Sequence, residues 1–193
     1  MAQTTTPAEP DKPEQVAQGL KLVDPETASQ PIKNALTLLP VINVFRAMAN
    51  AETLYPYLGQ YMLPLFRPME LDKALERMIV LHVAKRSDCL YAWRQNVVVG
   101  HSVGVTDQQI VALEAGDIKA NCFSEAEQSV FSFTDEVMDL IEATDETYAA
   151  VKKNFSDRAI TEMLYVIGTY MLVVRVLRTG RVPLDDEPAA SPQ

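Results

Sequence analysis

Leu75-Glu-Arg-Met-Ile-Val-Leu-His-Val-Ala-Lys-Arg-Ser-Asp-Cys-Leu-Tyr-Ala-Trp-Arg-Gln-Asn96 is the stretch on which the fold turns. An apolar run leads it, a short polar break follows, and aromatic and polar residues then resume at helical spacing. Leu71, Leu75, Met78, Ile79, Leu81, Val83 and Ala84 leave little polar surface in the second half of a helix expected over 70–86. A helix apolar almost all round lies between other helices or in a subunit interface. Asp88 is placed to cap a second helix over 89–102, with Gly104 as its C′ residue. Within that helix Cys89, Ala92 and Asn96 are spaced i, i+3 and i+7, which puts them on one face.

Upstream, residues 1–30 are rich in Thr, Pro, Glu, Gln and Asp and show no sustained apolar period. They are expected to form a disordered or loosely docked arm. Val41, Val44, Phe45 and Met48 then recur at helical spacing. Asn50 is placed to cap a helix through Leu65, distorted by Pro56 and ended by Pro64 and Pro68. Downstream, Thr106-Asp-Gln-Gln109 and Ser124-Glu-Ala-Glu127 have the capping-box pattern. Thr144 and Ser156 open two further helices, the last with Ile160, Met163, Leu164, Ile167, Met171 and Leu172 facing a core. Gly180 and Pro183 stop it, and an acidic, loose tail is expected over 185–193. The class is all-α: a bundle of about seven or eight helices spanning 31–184.

The chain has 193 residues, 48 % of them hydrophobic, enough for one sizeable core. A net charge of -9 argues against nucleic acid, which requires clustered Lys and Arg. No charge-free apolar run reaches 18 residues, so no membrane partner is expected. A basic start followed by an apolar h-region is missing, and two cysteines make no disulfide framework, so a cytoplasmic setting is expected. His82 and His101 fall on different expected helices without metal-ligand spacing, so neither a metal nor another cofactor is expected. Gly100 and Gly104 fit no phosphate loop.

The central stretch resembles the active-site region of the carboxymuconolactone decarboxylase and alkylhydroperoxidase-D (AhpD-like) superfamily. The resemblance runs through Ile79-Val-Leu-His-Val-Ala84, Tyr91-Ala-Trp93, Tyr170-Met-Leu-Val-Val-Arg-Val-Leu177 and the closing Arg181-Val-Pro-Leu-Asp185, over about residues 40 to 187. It implies a helical bundle that assembles as dimers, trimers or hexamers. It also implies a pocket near the Cys89 helix. The chemical positions differ from the family pattern. Cys89 takes the first cysteine position, Ala92 the second, and Asn96 the histidine position. Arg77 stands for the family glutamate, and Met171 for an asparagine.

These substitutions favour a cofactor-independent enzyme of decarboxylase or lyase type acting on an anionic or carbonyl-bearing, fairly apolar small molecule. Arg77 would hold an anion, since a guanidinium pairs bidentately with carboxylates. Asn96 would polarise a carbonyl, because it hydrogen-bonds but moves no proton at neutral pH. A tyrosine or His101 would act as acid. Tyr91, Trp93, Tyr170, Met171 and His82 are the expected substrate contacts. The alternatives are a thiol-dependent hydroperoxidase with peroxiredoxin-like activity through Cys89, and a non-catalytic binding module. Each candidate also has a plainer role. Cys89 would be a small buried hydrophobe, His82 a satisfied core histidine, His101 a helix C-terminal stabiliser, and Arg77 half of a helix-face ion pair.

Overall fold

The computed structural model describes residues 18–188, so the first 17 residues of the arm expected over 1–30 and the last five of the tail expected over 185–193 lie outside them. Among the described residues there are nine α-helices, one 3-10 turn and no strand. They are α1 (Gln30–Leu36), α2 (Asn43–Met48), α3 (Tyr55–Met62), the 3-10 turn Leu63–Phe66, α4 (Lys73–Arg86), α5 (Leu90–Ser102), α6 (Asp107–Ala115), α7 (Glu125–Leu140), α8 (Asp145–Lys152) and α9 (Asp157–Thr179).

α4 is the axis of the bundle. It packs against α5, α6, α7 and α9, and every residue from Leu75 to Ala84 is buried. Its all-round apolarity is therefore satisfied inside its own chain. Of the two coverings expected for this helix, neighbouring helices supply it. Asp72 starts the helix by accepting from the backbone N–H groups of Ala74 and Leu75. Lys85 and Arg86 sit in its last turn, where the macrodipole favours cations.

Both capping boxes form, at Thr106/Gln109 and Ser124/Glu127, and Thr144 and Ser156 cap α8 and α9. Three local expectations are corrected. Asn50 caps nothing: its side chain donates to the carbonyls of Lys21 and Ala47, and α3 starts at Tyr55 with Pro56 in the first turn, where a missing N–H costs nothing. Asp88 adopts a left-handed φ of 46° to turn the chain between α4 and α5, and Cys89 takes the N-cap position. Gln30, the last residue of the expected loose arm, opens α1 with Pro31 in its first turn and Ile32, Ala35 and Leu36 in the core.

The segment before α1 is also docked. Leu20 N–H donates to Gly180 O, and Val23 N–H to Arg46 O. α9 is long and apolar enough by composition to cross a membrane, yet half of its apolar window is buried in the bundle. It packs against α2, α4, α5, α7 and α8, as a core helix does.

Candidate functional site

A slot opens between α2, α4, α5 and α9. Its walls are apolar, formed by residues such as Ile42, Phe45, Met62, Phe66, Val99 and Val173. Five polar side chains join them: Arg77, Tyr91, Gln95, Asn96 and Tyr170. The hollow measures about 580 Å³ with its mouth. Such a space suits a small ligand.

Three of the polar groups form one buried knot. Arg77 is 3 % exposed and Asn96 6 %. Nη1 of Arg77 donates to Oδ1 of Asn96 at 2.5 Å and to the Tyr170 hydroxyl at 2.9 Å. The Tyr170 hydroxyl lies 3.3 Å from the same Asn96 oxygen, to which it donates. Nδ2 of Asn96 donates to Ala92 O at 2.7 Å, which leaves its second N–H for the slot. Three helices thus supply one group each, and α5 brings Asn96 to the floor because Ala92 and Asn96 are one turn apart.

Behind the knot, Nη2 of Arg77 faces Oε2 of Glu76 at 3.3 Å, and both side chains are buried. Oε1 of Glu76 and Nε of Arg77 have no partner among the described residues. Burial pushes the Glu76 carboxyl above the usual carboxylate range, although Arg77 and Lys73 pull it back. Burial opposes the charge on Arg77, but Tyr170 and Glu76 outweigh it and keep the guanidinium ionised. Burial raises the Tyr170 phenol, and the guanidinium offsets part of the rise. The floor of the slot is therefore a cation whose charge reaches a ligand through a phenol and a carboxamide.

The side wall is tied by Asp185. Its carboxylate accepts from the Tyr91 hydroxyl, from Gln95 Nε2 at 3.0 Å and from Asn43 N–H at 2.9 Å. Asn43 Nδ2 also reaches the carbonyls of Pro183 and Leu184. The loose tail expected from residue 185 is thus corrected at its first residue.

The other candidates lie elsewhere. Cys89 and Trp93 line a separate hollow with Lys85, Asp88 and Glu114. Cys89 misses the face shared by Ala92 and Asn96 because, as N-cap, it has non-helical backbone angles. Burial raises its thiol, against the pull of nearby backbone N–H groups and Arg178. Trp93 points away because one residue turns a helix by about 100°. Met171 is turned from the slot for the same reason, one position after Tyr170. His82 is a core residue of the α4–α7 contact: Nε2 sits 2.7 Å from Asp135 Oδ1, and the ring packs on Phe131. His101 is at the surface, with Nδ1 3.7 Å from Asp107. Among the described residues no cluster of three or more His, Cys, Asp or Glu could hold a metal.

Sequence reasoning missed Asp185, Glu76 and Gln95 as site residues. An acidic tail residue gave no signal of a long-range contact. The near-apolar face of the helix around Glu76 was the available hint, since a buried carboxylate needs a partner.

No protein-family model and no curated protein matches the sequence. Solved structures do match. An uncharacterized peroxidase-related protein from Ralstonia eutropha, described as an alkylhydroperoxidase AhpD core, superposes with a TM-score of 0.73 at 15 % identity, covering 86 % of this chain and 91 % of its own. The debrominase Bmp8 gives 0.71 at 14 %, covering 90 % and 94 %. A peroxidase-related protein from a Silicibacter species gives 0.70 at 20 %, covering 92 % and 96 %. A cysteine-to-alanine variant of the debrominase was solved with 2,3,4-tribromopyrrole. At these identities the likeness establishes an AhpD-like helical fold.

Proposed function

We propose that the chain is a cytoplasmic, cofactor-independent enzyme of decarboxylase type, acting in this slot on a small, flat, largely apolar molecule that carries a carbonyl β to a carboxylate. The observation that carries this reading is the buried Arg77–Asn96–Tyr170 knot at the floor of an apolar slot. The substrate body would lie against Phe45, Met62 and Phe66. Its carbonyl oxygen would take a hydrogen bond from the second N–H of Asn96, and one from the Tyr170 hydroxyl once that proton turns from Asn96 Oδ1 to the ligand; both donors are polarised by Arg77. Such pre-set donors stabilise charge that develops in the transition state.

Among the described residues the lining holds no Asp, Glu, His or Cys to act as a base. A reaction that makes its own enolate therefore suits it. When the bond to the departing carboxylate breaks, CO₂ leaves and the electron pair moves onto the carbonyl oxygen. Water then returns a proton to carbon, and the carbonyl re-forms. The tribromopyrrole bound by the debrominase is a small flat ring of the size class this slot favours.

The thiol reading is set aside, because Cys89 opens on a different hollow and burial disfavours its thiolate. Self-association remains part of the proposal on new grounds. Tyr57, Leu164, Tyr165 and Leu172 form an exposed apolar face on α3 and α9. Light scattering at micromolar concentration would give a monomer if that is wrong.

The test is release of CO₂ from a panel of small β-keto acids by recombinant protein. Turnover that falls at least tenfold in Tyr170→Phe and Asn96→Ala, with folding intact, supports the assignment. Turnover unchanged in both variants removes it. No turnover across the panel, with no ligand detected in the slot, favours a non-catalytic module.

A further inference from the structure

Glu76 has no part in the reaction just described, yet it is 1 % exposed and lies directly behind the guanidinium that organises the slot. Its Oε2 faces Arg77 Nη2, while its Oε1 has no partner among the described residues. The charged groups acting on it are Arg77 and Lys73 of its own helix. Lys73 is itself held away by the Leu65 carbonyl. From α9 the neighbouring polar groups are Tyr170 and, beside Lys73, Glu162. From α5 it is the uncharged Asn96.

With Glu76 ionised, Arg77 is neutralised and the buried pair carries no net charge. An anion entering the slot adds one uncompensated negative charge to a region of low dielectric. Placing net charge there costs far more than in water. The nearest group able to restore neutrality is the Glu76 carboxylate, whose unpartnered oxygen is ready to receive a proton.

We infer that Glu76 is the charge-compensating residue of the slot: binding of a carboxylate ligand is accompanied by transfer of one proton from solvent onto Glu76 Oε1. The ligand then becomes the counter-ion of Arg77, and Glu76 becomes a neutral neighbour. This inference rests on the reading that the slot takes an anion. It makes Glu76 a positioning residue that acts through Arg77.

Benzoate is a suitable probe, with benzamide as its neutral counterpart. Calorimetry near neutral pH in phosphate and in Tris, whose ionisation enthalpies differ, counts the protons exchanged. The expected result is uptake of about one proton per benzoate and about none per benzamide. Benzoate affinity should weaken by up to about tenfold per unit of rising pH. In Glu76→Gln the uptake should vanish. Benzoate binding without proton exchange in the wild type, or uptake undiminished in Glu76→Gln, overturns the inference and leaves the slot assignment standing. Absence of any benzoate binding overturns both. If Glu76→Gln does not fold, the infrared carbonyl band of a buried carboxylic acid decides: its appearance on benzoate binding supports the inference, and its absence overturns it.

Discussion

The hydroxyl of Tyr91 donates to the carboxylate of Asp185, a residue 94 positions later in the chain. The same hydroxyl accepts from Val44 N–H at 3.1 Å, and the same carboxylate accepts from Asn43 N–H. Helix α2 begins at Asn43 without a side-chain cap of its own. Its first two N–H groups are therefore satisfied by groups from α5 and from the segment after α9. This pair closes the slot wall and starts a helix together.

Tyr91→Phe leaves the Val44 N–H without a partner, and Asp185→Ala leaves the Asn43 N–H without a partner and the Tyr91 hydroxyl without an acceptor. Each should cost about 1–3 kcal/mol in urea denaturation. Because the two residues share partners, a double-mutant cycle should show coupling of about 0.5–3 kcal/mol. Simple additivity would mean that they act separately.

Arg77, Asn96 and Tyr170 should behave as a unit. Arg77→Met leaves Glu76 without its principal cation in the core, a loss of about 3–5 kcal/mol. Tyr170→Phe removes one acceptor and one donor from the knot, about 1–3 kcal/mol. Ligand affinity for the slot should fall in both. A Tyr170→Phe protein with unchanged stability and unchanged ligand affinity would show that the knot is not engaged.

Stability should depend on pH through Glu76. Burial raises its folded-state pKa above the ordinary value of 4.5. The folded state then holds the proton more tightly than the unfolded chain does. Stability is greatest below pH 4.5 for this group and falls as pH rises toward the raised value, where the penalty becomes complete. Glu76→Gln abolishes that slope and adds a pH-independent offset, because Arg77 loses its counter-ion. Denaturation curves taken from pH 4 upward should converge or cross between the two proteins. Parallel curves would show an ordinary carboxyl at Glu76.

The helical bundle was legible because its signals are local. Thr106, Ser124, Thr144 and Ser156 all precede apolar periods, and all cap helices. Arg77, Asn96, Tyr91 and Tyr170, singled out through the resemblance, line one slot. The failures arise where the answer is not local. Placing Cys89, Trp93 and Met171 required the phase of each helix face to within one residue, and a cap shifts that phase. Asp185 required a contact across 90 or more positions, which periodicity does not report. His82 was ambiguous until Asp135 of α7 appeared beside it.

A surface prediction concerns Ile141. It ends α7 with a left-handed φ of 73°, unfavourable for a β-branched residue, and its side chain is 82 % exposed. Little packing is lost by removing it. Ile141→Gly should therefore stabilise the protein by about 1 kcal/mol, read as a higher urea midpoint with the same slope.

The cysteines separate the slot reading from the thiol reading. Cys89 is buried and its thiol is raised by that burial, whereas Cys122 is partly exposed beside the Gln108 carbonyl. A thiol reagent near neutral pH should modify Cys122 first and Cys89 slowly, with the Cys89 rate climbing as pH passes the ordinary thiol range. Cys89→Ala should leave ligand affinity for the slot within about twofold of wild type, since the residue touches a different hollow. A fast, low-pH reaction at Cys89, together with peroxide turnover lost in Cys89→Ala, would move the chemistry out of the slot and onto the sulfur.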